Sequence, residues 1–471
     1  MVTIVLLHAE RHIAHLSAKE GLFEDANGAH VELKGCNWFG FNVNNGTGML
    51  TGMWGHNNSG KNALSMDFKT IVLRMKLLGF NTVRLPFSFQ VLWEKTFQSC
   101  QQPMTAIPDS KDVYKSCVPD EVYNKFLGND GHNSIEDRLI YVVHYFIDNG
   151  FYVILENHLS QEKNGDRDGT IIPNSFGNAA TSGKDFWARR WKDLVYNITM
   201  KGGGGSPVYG PSGNIYADYL IVDLLNEPDA LTRWSKTPST MVSWDGLSEY
   251  YFAAMDEVNQ VSPTTMFLVE GVQLWEKKGN ATVFSTVATG GLGSCNWGDD
   301  FADGSQSFFD QLLTKSYKDQ VALSPHVYPP SCGSNRKLSE RIQLWLDSFG
   351  KKCCPPGFTA SNGSMHVFPI CIGETGSKCL ANAGSNEFTT ADPGDPPVME
   401  AFKKFLKDTA LGTARGRTFT SLLWWSWANS PDSGALTAGD KDNGTFKTIN
   451  FPKIEWMCDA VGLKPWYKSL G

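Results

Sequence analysis

Short apolar runs alternate with amphipathic segments along most of the chain. The apolar runs predict strands near 31–36, 80–85, 151–156, 219–225, 265–270, 321–325, 367–373 and 420–426. Between them, apolar residues recur at helical spacing, most clearly over 67–79, 134–150, 247–260 and 398–411. Repeated strand–helix units of this kind are typical of an α/β protein, and the sequence therefore predicts a single (β/α)8 barrel.

Several segments that follow predicted strands are unusually long. They cover 91–133, 157–186, 271–320 and 327–366, and they are polar, glycine-rich or cysteine-bearing. In a (β/α)8 barrel the loops after the strands form the catalytic face. We therefore expect these loops to wall a cleft there. The glycine-rich stretch 201–214 precedes a strand instead and is expected on the opposite face.

Two glutamates follow apolar runs at predicted strand ends. Glu227 comes after 221–225, and Glu374 comes after 367–372. Polar or aromatic residues end most of the other predicted strands as well. Because the carboxyl ends of barrel strands converge, the two acids are expected to meet. A pair of carboxyl groups flanking one bond is the arrangement used to hydrolyse glycosides.

At these strand ends the chain resembles glycoside hydrolase family five, the cellulase family of retaining glycosidases. The similarity runs from Gly35–Phe41 to about Asn450. It rests on Val-Arg-Leu-Pro at 83–86, Leu-Asn-Glu-Pro at 225–228, Pro-His-Val-Tyr at 325–328, Ile-Gly-Glu at 372–374 and Trp-Ser-Trp at 425–427. The first and last parts of the match look most like endo-β-1,4-glucanases. The resemblance implies the same barrel and no metal or organic cofactor.

The resemblance also assigns the chemical roles. Glu227 would be the general acid and base, and Glu374 would be the nucleophile. Arg84 and Tyr328 would hold the nucleophile ionised and oriented. Asn226 would bind the sugar 2-hydroxyl. A retaining enzyme would have its two carboxyl groups about 5–5.5 Å apart, and an inverting enzyme about 6.5–9.5 Å apart.

The remaining predicted site residues would contact the sugar chain. His158 and His326 would line the subsite of the reacting sugar, and Trp427 would be the floor on which that sugar stacks. Trp38 and Trp54 could form a further subsite. The expected partner is a β-glucan polysaccharide or oligosaccharide, cleaved inside β-1,4-linked chains.

Substrate choice stays open at this stage. Thr375 replaces an aromatic residue often found after the nucleophile, and Asn157 and the loop 433–439 also depart from the family pattern. A β-mannanase, or a β-1,3-glucan or xyloglucan hydrolase, would share the same barrel and acids. A glycan-binding wall protein without activity is the alternative from another class, and the intact glutamate pair disfavours it.

Composition narrows the cellular setting. The 471 residues carry a net charge of −7 and no basic cluster, which argues against a nucleic-acid partner. No apolar stretch is long enough to span a bilayer, and nothing indicates an oligomer, so we expect a monomer. Residues 1–25 are read as an N-terminal segment that contains a possible leader remnant, and 26–471 as the catalytic domain.

Cysteine and asparagine patterns favour secretion. Ten cysteines are more than a reducing compartment usually allows. Six Asn-x-Ser/Thr acceptors are present, at Asn45, Asn57, Asn197, Asn280, Asn362 and Asn443. Disulfides are expected within the long loops, between Cys100 and Cys117 and among Cys332, Cys353, Cys354 and Cys379. Cys36 and Cys371 lie within strand-like runs and are expected to be buried free thiols.

Overall fold

The predicted strands close into a cylinder in the computed structural model. This structure describes residues 16–42, 50, 68–94, 135–159, 183–200, 215–228, 244–272, 275–278, 281–284, 298–302, 304–332, 337–377, 395–408, 418–427, 435–440 and 445–470. The barrel strands are β4 (Lys34–Asn37), β5 (Thr82–Ser88), β6 (Tyr152–Leu159), β7 (Leu220–Asp223), β8 (Met266–Val269), β11 (Val321–Leu323), β12 (His326–Val327), β15 (Ile372–Thr375) and β16 (Leu422–Trp424).

Neighbouring barrel strands are parallel and run in the order β11-β8-β7-β6-β5-β4-β16-β15-β12. β11 and β12 are two parts of one chain passage, separated by residues 324 and 325. β11 pairs with β8, while β12 pairs with β15, and Leu323 also bridges to Ile370. This sixth passage therefore joins both edges of the sheet. The structure confirms the predicted (β/α)8 barrel.

Each of the eight predicted strands overlaps a barrel strand. β5, β7 and β8 are buried along their whole length, because helices cover one side of each strand and the barrel interior the other. Strands buried on both sides have nearly continuous apolar sequences, which is why the apolar runs located them. The sixth strand is divided because Pro325 has no backbone N–H to donate to a sheet.

Helices pack around the cylinder. They are α1 (Phe68–Leu77), α2 (Phe89–Glu94), α3 (Ile135–Asp148), α4 (Gly183–Thr199), α5 (Tyr216–Tyr219), α6 (Trp244–Val261), α7 (Gln306–Leu312), α8 (Leu338–Trp345), α9 (Asp395–Lys407) and α10 (Phe451–Val461). The four predicted helices correspond to α1, α3, α6 and α9. α4 was not assigned from the sequence, although Trp187, Trp191 and Leu194 bury one of its faces at helical spacing.

The remaining described strands form small antiparallel sheets. They are β1 (Ser17–Lys19), β2 (Leu22–Glu24), β3 (His30–Val31), β9 (Trp275–Lys278), β10 (Ala281–Phe284), β13 (Phe358–Thr359), β14 (Met365–His366), β17 (Thr437–Asp440) and β18 (Thr445–Ile449). β1 lies beside the turn Lys318–Gln320 that precedes β11, at the amino-terminal end of the barrel. Leu16 and Phe23 are buried there, so residues 16–24 pack as part of the domain.

The structure tests part of what was expected of the ten cysteines. Cys36 and Cys371 are fully buried free thiols, which confirms that prediction. Cys100, Cys117 and Cys379, and the side chain of Cys332, lie outside the described residues, so the proposed disulfides stay predictions. The segments 95–134 and 160–182, which are parts of two loops expected to wall a cleft, also lie outside the described residues. Their role as cleft walls therefore stays a prediction. Within the described part of the chain, no helix has both the length and the apolarity needed to cross a membrane.

Gly35 marks a close approach inside the barrel. A Cβ at this position of β4 would lie 1.7 Å from the carbonyl oxygen of Thr82 in β5. Gly35→Ala is therefore expected to separate two paired strands and to lower the free energy of unfolding by more than about 4 kcal/mol. Urea unfolding midpoints measure this loss.

Gly150 offers the matched control, because it ends α3 with φ +83° and a Cβ there would meet nothing within 4 Å. Gly150→Ala should cost only about 1–2 kcal/mol, the strain of the left-handed backbone. Equal losses in both variants would contradict the steric argument.

Candidate active site

One buried arginine links the polar residues at the strand ends. Arg84 lies in β5 and has no exposed surface. Its Nε lies 2.9 Å from Asp223, Nη1 lies 2.6 Å from Glu374, and Nη2 lies 2.9 Å from Glu270. A fourth carboxylate, that of Glu156, lies 3.4 Å from Nη1. These contacts bring the ends of β5, β6, β7, β8 and β15 to one point.

Two amide side chains complete the surroundings of Arg84. Nη1 also donates to Oδ1 of Asn37 at 2.9 Å, and Nη2 donates to Oδ1 of Asn226 at 3.1 Å. A guanidinium has five N–H donors, and each of them therefore has its own acceptor. The orientation of Arg84 is fixed by this complete set of hydrogen bonds.

Four carboxyl groups around one cation cannot all be ionised cheaply in a buried site. Burial and the charge of Asp223 raise the pKa of Glu270 well above its usual value, although Arg84 opposes the shift. Burial also raises the pKa of Asp223 to about 6, again against the attraction of Arg84. Burial therefore makes both of these inner carboxyl groups weaker acids than free ones.

Glu374 behaves in the opposite way. Burial would raise its pKa, but the charges of His326, Arg84 and His158 lower it. The phenol of Tyr328 adds a hydrogen bond to Oε2 at 2.6 Å. The net result is a pKa below the usual value, so Glu374 is an ionised carboxylate with both oxygens held by donors.

Glu227 lies across from Glu374 with His326 between them. His326 Nδ1 is 2.9 Å from Oε1 of Glu227 and 3.6 Å from Oε2 of Glu374. Glu227 is 8% exposed and Glu374 is 4% exposed, so the pair is nearly enclosed. One oxygen or nitrogen from each of these three residues lies within 4.8 Å of the others.

These three side chains could geometrically hold a metal ion. Their surroundings fit a different use, because the guanidinium of Arg84 lies 2.6 Å from Glu374 and supplies the positive charge. The Tyr328 hydroxyl donates to the second oxygen of the same carboxylate. We assign no metal to the site for this reason.

The chain is similar to known glucanases along most of its length. Endoglucanase G of Acetivibrio thermocellus is 23% identical over 441 residues, which cover 90% of this chain and 68% of that protein. The major extracellular endoglucanase of Xanthomonas campestris is 24% identical over 424 residues, covering 88% of this chain and 66% of that protein. The match thus spans about two thirds of each relative's length. No family model matches the chain.

A solved structure agrees with these sequence matches. The complex of the endocellulase from Pyrococcus horikoshii with cellotetraose superposes with a TM-score of 0.61 at 18% identity. It covers 95% of this chain and 98% of that chain. These matches support a glycoside hydrolase of the cellulase type, with the same barrel fold. In the structure, six predicted site residues lie in one cluster: Arg84, Asn226, Glu227, His326, Tyr328 and Glu374.

The aromatic residues of the site differ from the prediction. Trp427 is only 2% exposed and packs within the core, which leaves little ring surface for a sugar. Trp425 is half-buried instead. Its ring stacks on His158 at 5.3 Å and on Phe39 at 5.7 Å, with interplanar angles of 12°. The sequence could not choose between the two tryptophans, because β16 ends at Trp424 and strand alternation stops there.

The predicted further subsite is not supported at Trp38. This side chain has no exposed surface and packs edge-on against Phe146 of α3 at 6.2 Å. Burial on the helix side of the barrel corrects the expectation that Trp38 contacts a sugar. Trp54, the other member of that subsite, lies outside the described residues.

His158 is held from two sides. Its Nδ1 lies 2.9 Å from Oε2 of Glu156, and its ring stacks against Trp425. Glu156 in turn faces Arg84. From the sequence Glu156 could either shape the site or bind a sugar hydroxyl, and in the structure its carboxylate contacts both His158 and Arg84.

Removal of the central cation gives a test of this arrangement. In Arg84→Met the buried carboxyl groups lose their counter-charge, and their pKa values rise further. Folding then requires these groups to take up protons, and this cost grows as the pH rises from their unfolded-state pKa of about 4 towards the raised pKa of the folded state. We expect a loss of about 3–5 kcal/mol at pH 8 and a smaller loss at pH 5, measured by urea unfolding.

Arg190 provides the matched control, since its side chain is 26% exposed and pairs with Asp193 at the surface. Arg190→Met should cost about 0–1 kcal/mol, with little difference between the two pH values. A loss in Arg84→Met that is the same at both pH values would contradict the electrostatic reading.

Proposed function

We propose that the enzyme is a retaining, endo-acting β-glycosidase that hydrolyses β-1,4-linked glucan chains. The observation that carries this proposal is the pairing of Glu227 with Glu374. One carboxylate oxygen from each lies within 4.8 Å of the other. That separation favours retention, because inverting enzymes keep their carboxyl groups about 6.5–9.5 Å apart to admit a water molecule.

The two acids would act in a double displacement. Glu374 attacks the anomeric carbon, and Glu227 gives its proton to the departing glycosidic oxygen. Glu227 then removes a proton from water, which attacks the same carbon and releases Glu374. The depressed pKa of Glu374 supports its role as nucleophile, because attack requires the ionised form.

Contacts for the reacting sugar are present beside the two acids. The Nδ2 amide of Asn226 is buried and has no hydrogen-bond partner among the described residues. Its other end is fixed by Arg84. We propose that Nδ2 donates to the sugar 2-hydroxyl, a contact that strengthens in the transition state. The half-buried ring of Trp425 would be the platform under that sugar.

The choice of β-1,4-glucan is supported by the relatives. Two endoglucanases and a cellotetraose-binding endocellulase are similar to this chain. Mannan, laminarin and xyloglucan remain the alternatives within the same fold, because loops rather than the barrel select the polysaccharide. Reducing-sugar release from carboxymethylcellulose and these three polymers tests the choice, and activity on mannan alone would reject it.

We also propose that the protein is secreted and glycosylated. The cysteine content supports this, and one relative is described as extracellular. Two of the six glycan acceptors lie among the described residues. Asn362 is exposed between β13 and β14. Asn197 lies in α4, and its side-chain amide donates to Glu136 of α3 at 2.7 Å. Asn362 is therefore the better acceptor of the two.

Replacement of the nucleophile should separate binding from turnover. Glu374→Ala is expected to reduce hydrolysis of carboxymethylcellulose to near background, because it removes the carboxylate proposed to attack the anomeric carbon. Binding of cellotetraose, measured by calorimetry, should persist. Mass spectrometry of the wild-type enzyme trapped with a 2-fluoro cellobioside should place the sugar on Glu374. Undiminished hydrolysis by the variant, or labelling of a different residue, would refute the assignment.

Tyr328 is expected to set the acidic side of the pH profile. The phenol stabilises ionised Glu374 through its 2.6 Å hydrogen bond, so Tyr328→Phe raises the pKa of this carboxyl. A hydrogen bond to a charged group contributes about 1.5–3 kcal/mol, and one pKa unit is about 1.36 kcal/mol. The acidic limb of kcat/KM should therefore move up by about one pH unit or more.

Tyr251 supplies the control for that profile, because its hydroxyl donates to the backbone carbonyl of Glu270 and not to either acid. The acidic limb should stay in place in Tyr251→Phe. An unmoved acidic limb in Tyr328→Phe would show that Glu374 does not depend on this phenol.

A further inference from the structure

Glu270 follows β8 and has no part in the double displacement, yet it contacts Glu227, which does, and two residues that hold the catalytic acids. It is fully buried. Its Oε2 accepts the backbone N–H of Glu227 at 2.6 Å. Its Oε1 accepts Nη2 of Arg84 at 2.9 Å and lies 3.2 Å from Nε2 of His326. Both oxygens therefore face groups that hold the acid/base or the nucleophile.

The contact with the Glu227 backbone is made where the chain is strained. Glu227 has φ +42°, in the left-handed region that a residue with a side chain rarely adopts. Such a conformation costs about 1–3 kcal/mol and persists only where the surroundings impose it. The buried N–H of Glu227 also requires an acceptor. Glu270 provides this acceptor and so helps to fix the direction in which the Glu227 side chain leaves the backbone.

A second connection runs through His326. One ring nitrogen, Nε2, faces Oε1 of Glu270, and the other, Nδ1, lies 2.9 Å from Oε1 of Glu227. Glu270 thus borders the imidazole that holds the carboxyl group of Glu227. The main chain and the side chain of the acid/base are both connected to this one residue.

The position of Glu270 is itself closely defined. Gly298 has φ +76°, and a Cβ there would lie 2.5 Å from Oε2 of Glu270. The hydroxyl of Tyr251 donates to the Glu270 carbonyl at 3.0 Å. The carboxyl group therefore has little freedom to turn away from Glu227.

We propose that Glu270 is a positioning residue for the proton transfer made by Glu227. It holds the acid/base in its strained backbone conformation and sets the place of its carboxyl group, without touching the sugar. This inference rests on the proposed glycosidase function. It differs from a general structural role, because it assigns Glu270 to proton transfer rather than to nucleophilic attack.

Asp223 is the matched control for this distinction. It is also fully buried, and its Oδ2 accepts Nε of the same Arg84 at 2.9 Å. Among the described residues its hydrogen bond goes to Arg84, which holds the nucleophile, and not to Glu227. Loss of Asp223 should therefore disturb Glu374, whereas loss of Glu270 should disturb Glu227 as well.

The test compares two substrates that differ in their need for an acid. Cellotetraose has a sugar leaving group that must be protonated, whereas the leaving group of 2,4-dinitrophenyl β-cellobioside departs without a proton. In Glu270→Gln the amide NH2 would face one of two donors, Glu227 N–H or Arg84. General acid catalysis contributes about 10²–10⁴-fold. We expect kcat/KM to fall at least about tenfold more on cellotetraose than on the dinitrophenyl substrate.

Asp223→Asn should lower kcat/KM on both substrates by the same factor, since the nucleophile attacks in both. The basic limb of the kcat/KM profile, which reports the group that must stay protonated, should move in Glu270→Gln and stay in place in Asp223→Asn. Equal losses of Glu270→Gln on both substrates, or an unmoved basic limb, would overturn the proposal. A wild-type enzyme that hydrolyses neither substrate would overturn the glycosidase function itself.

Folding of each variant is checked by circular dichroism before the kinetics. If Glu270→Gln does not fold, Gly298→Ala displaces the same Oε2 while keeping the carboxyl group. It should show the same greater loss on cellotetraose. Equal losses on both substrates in Gly298→Ala would count against the proposal in the same way.

Discussion

The site depends on the guanidinium of Arg84, whose five N–H groups each have an acceptor. These acceptors come from the ends of four barrel strands, β4, β7, β8 and β15, and from the segment after β7, so the hydrogen bonds of one side chain set the relative positions of all of them. A buried cation with a full set of partners is expensive to disturb, because removal of any partner leaves a charge or a donor unsatisfied. The catalytic geometry is therefore tied to the fold of the barrel itself.

The same cation divides the surrounding acids into two kinds. Glu374 receives donors on both oxygens and is held ionised, as a nucleophile requires. Asp223 and Glu270 lie deeper, where burial outweighs the attraction of Arg84 and raises their pKa values. This arrangement favours negative charge on Glu374 and disfavours it on the two deeper carboxyl groups. A single electrostatic environment thus gives neighbouring carboxyl groups different chemical roles.

The left-handed backbone of Glu227 shows how the barrel aims its acid. A strand that ended regularly would direct this side chain by simple alternation, whereas φ +42° turns it toward His326 and Glu374. The buried carboxyl of Glu270 accepts a hydrogen bond from the backbone N–H of Glu227 at this turn. The strained backbone of Glu227 is thereby stabilised by an acceptor that directly follows the next strand, β8.

The sequence by itself determined the order of strands and helices, because apolar periodicity is local and survives in any α/β barrel. It also identified the polar residues that end the strands, since a barrel must bring these ends together. Only the tertiary structure decided that Trp425 rather than Trp427 has ring surface left exposed, that Trp38 is buried against Phe146, and that Glu270 lies against Glu227. Those outcomes depend on which side of a strand end faces the barrel axis and on contacts between residues far apart in the chain, neither of which local patterning specifies.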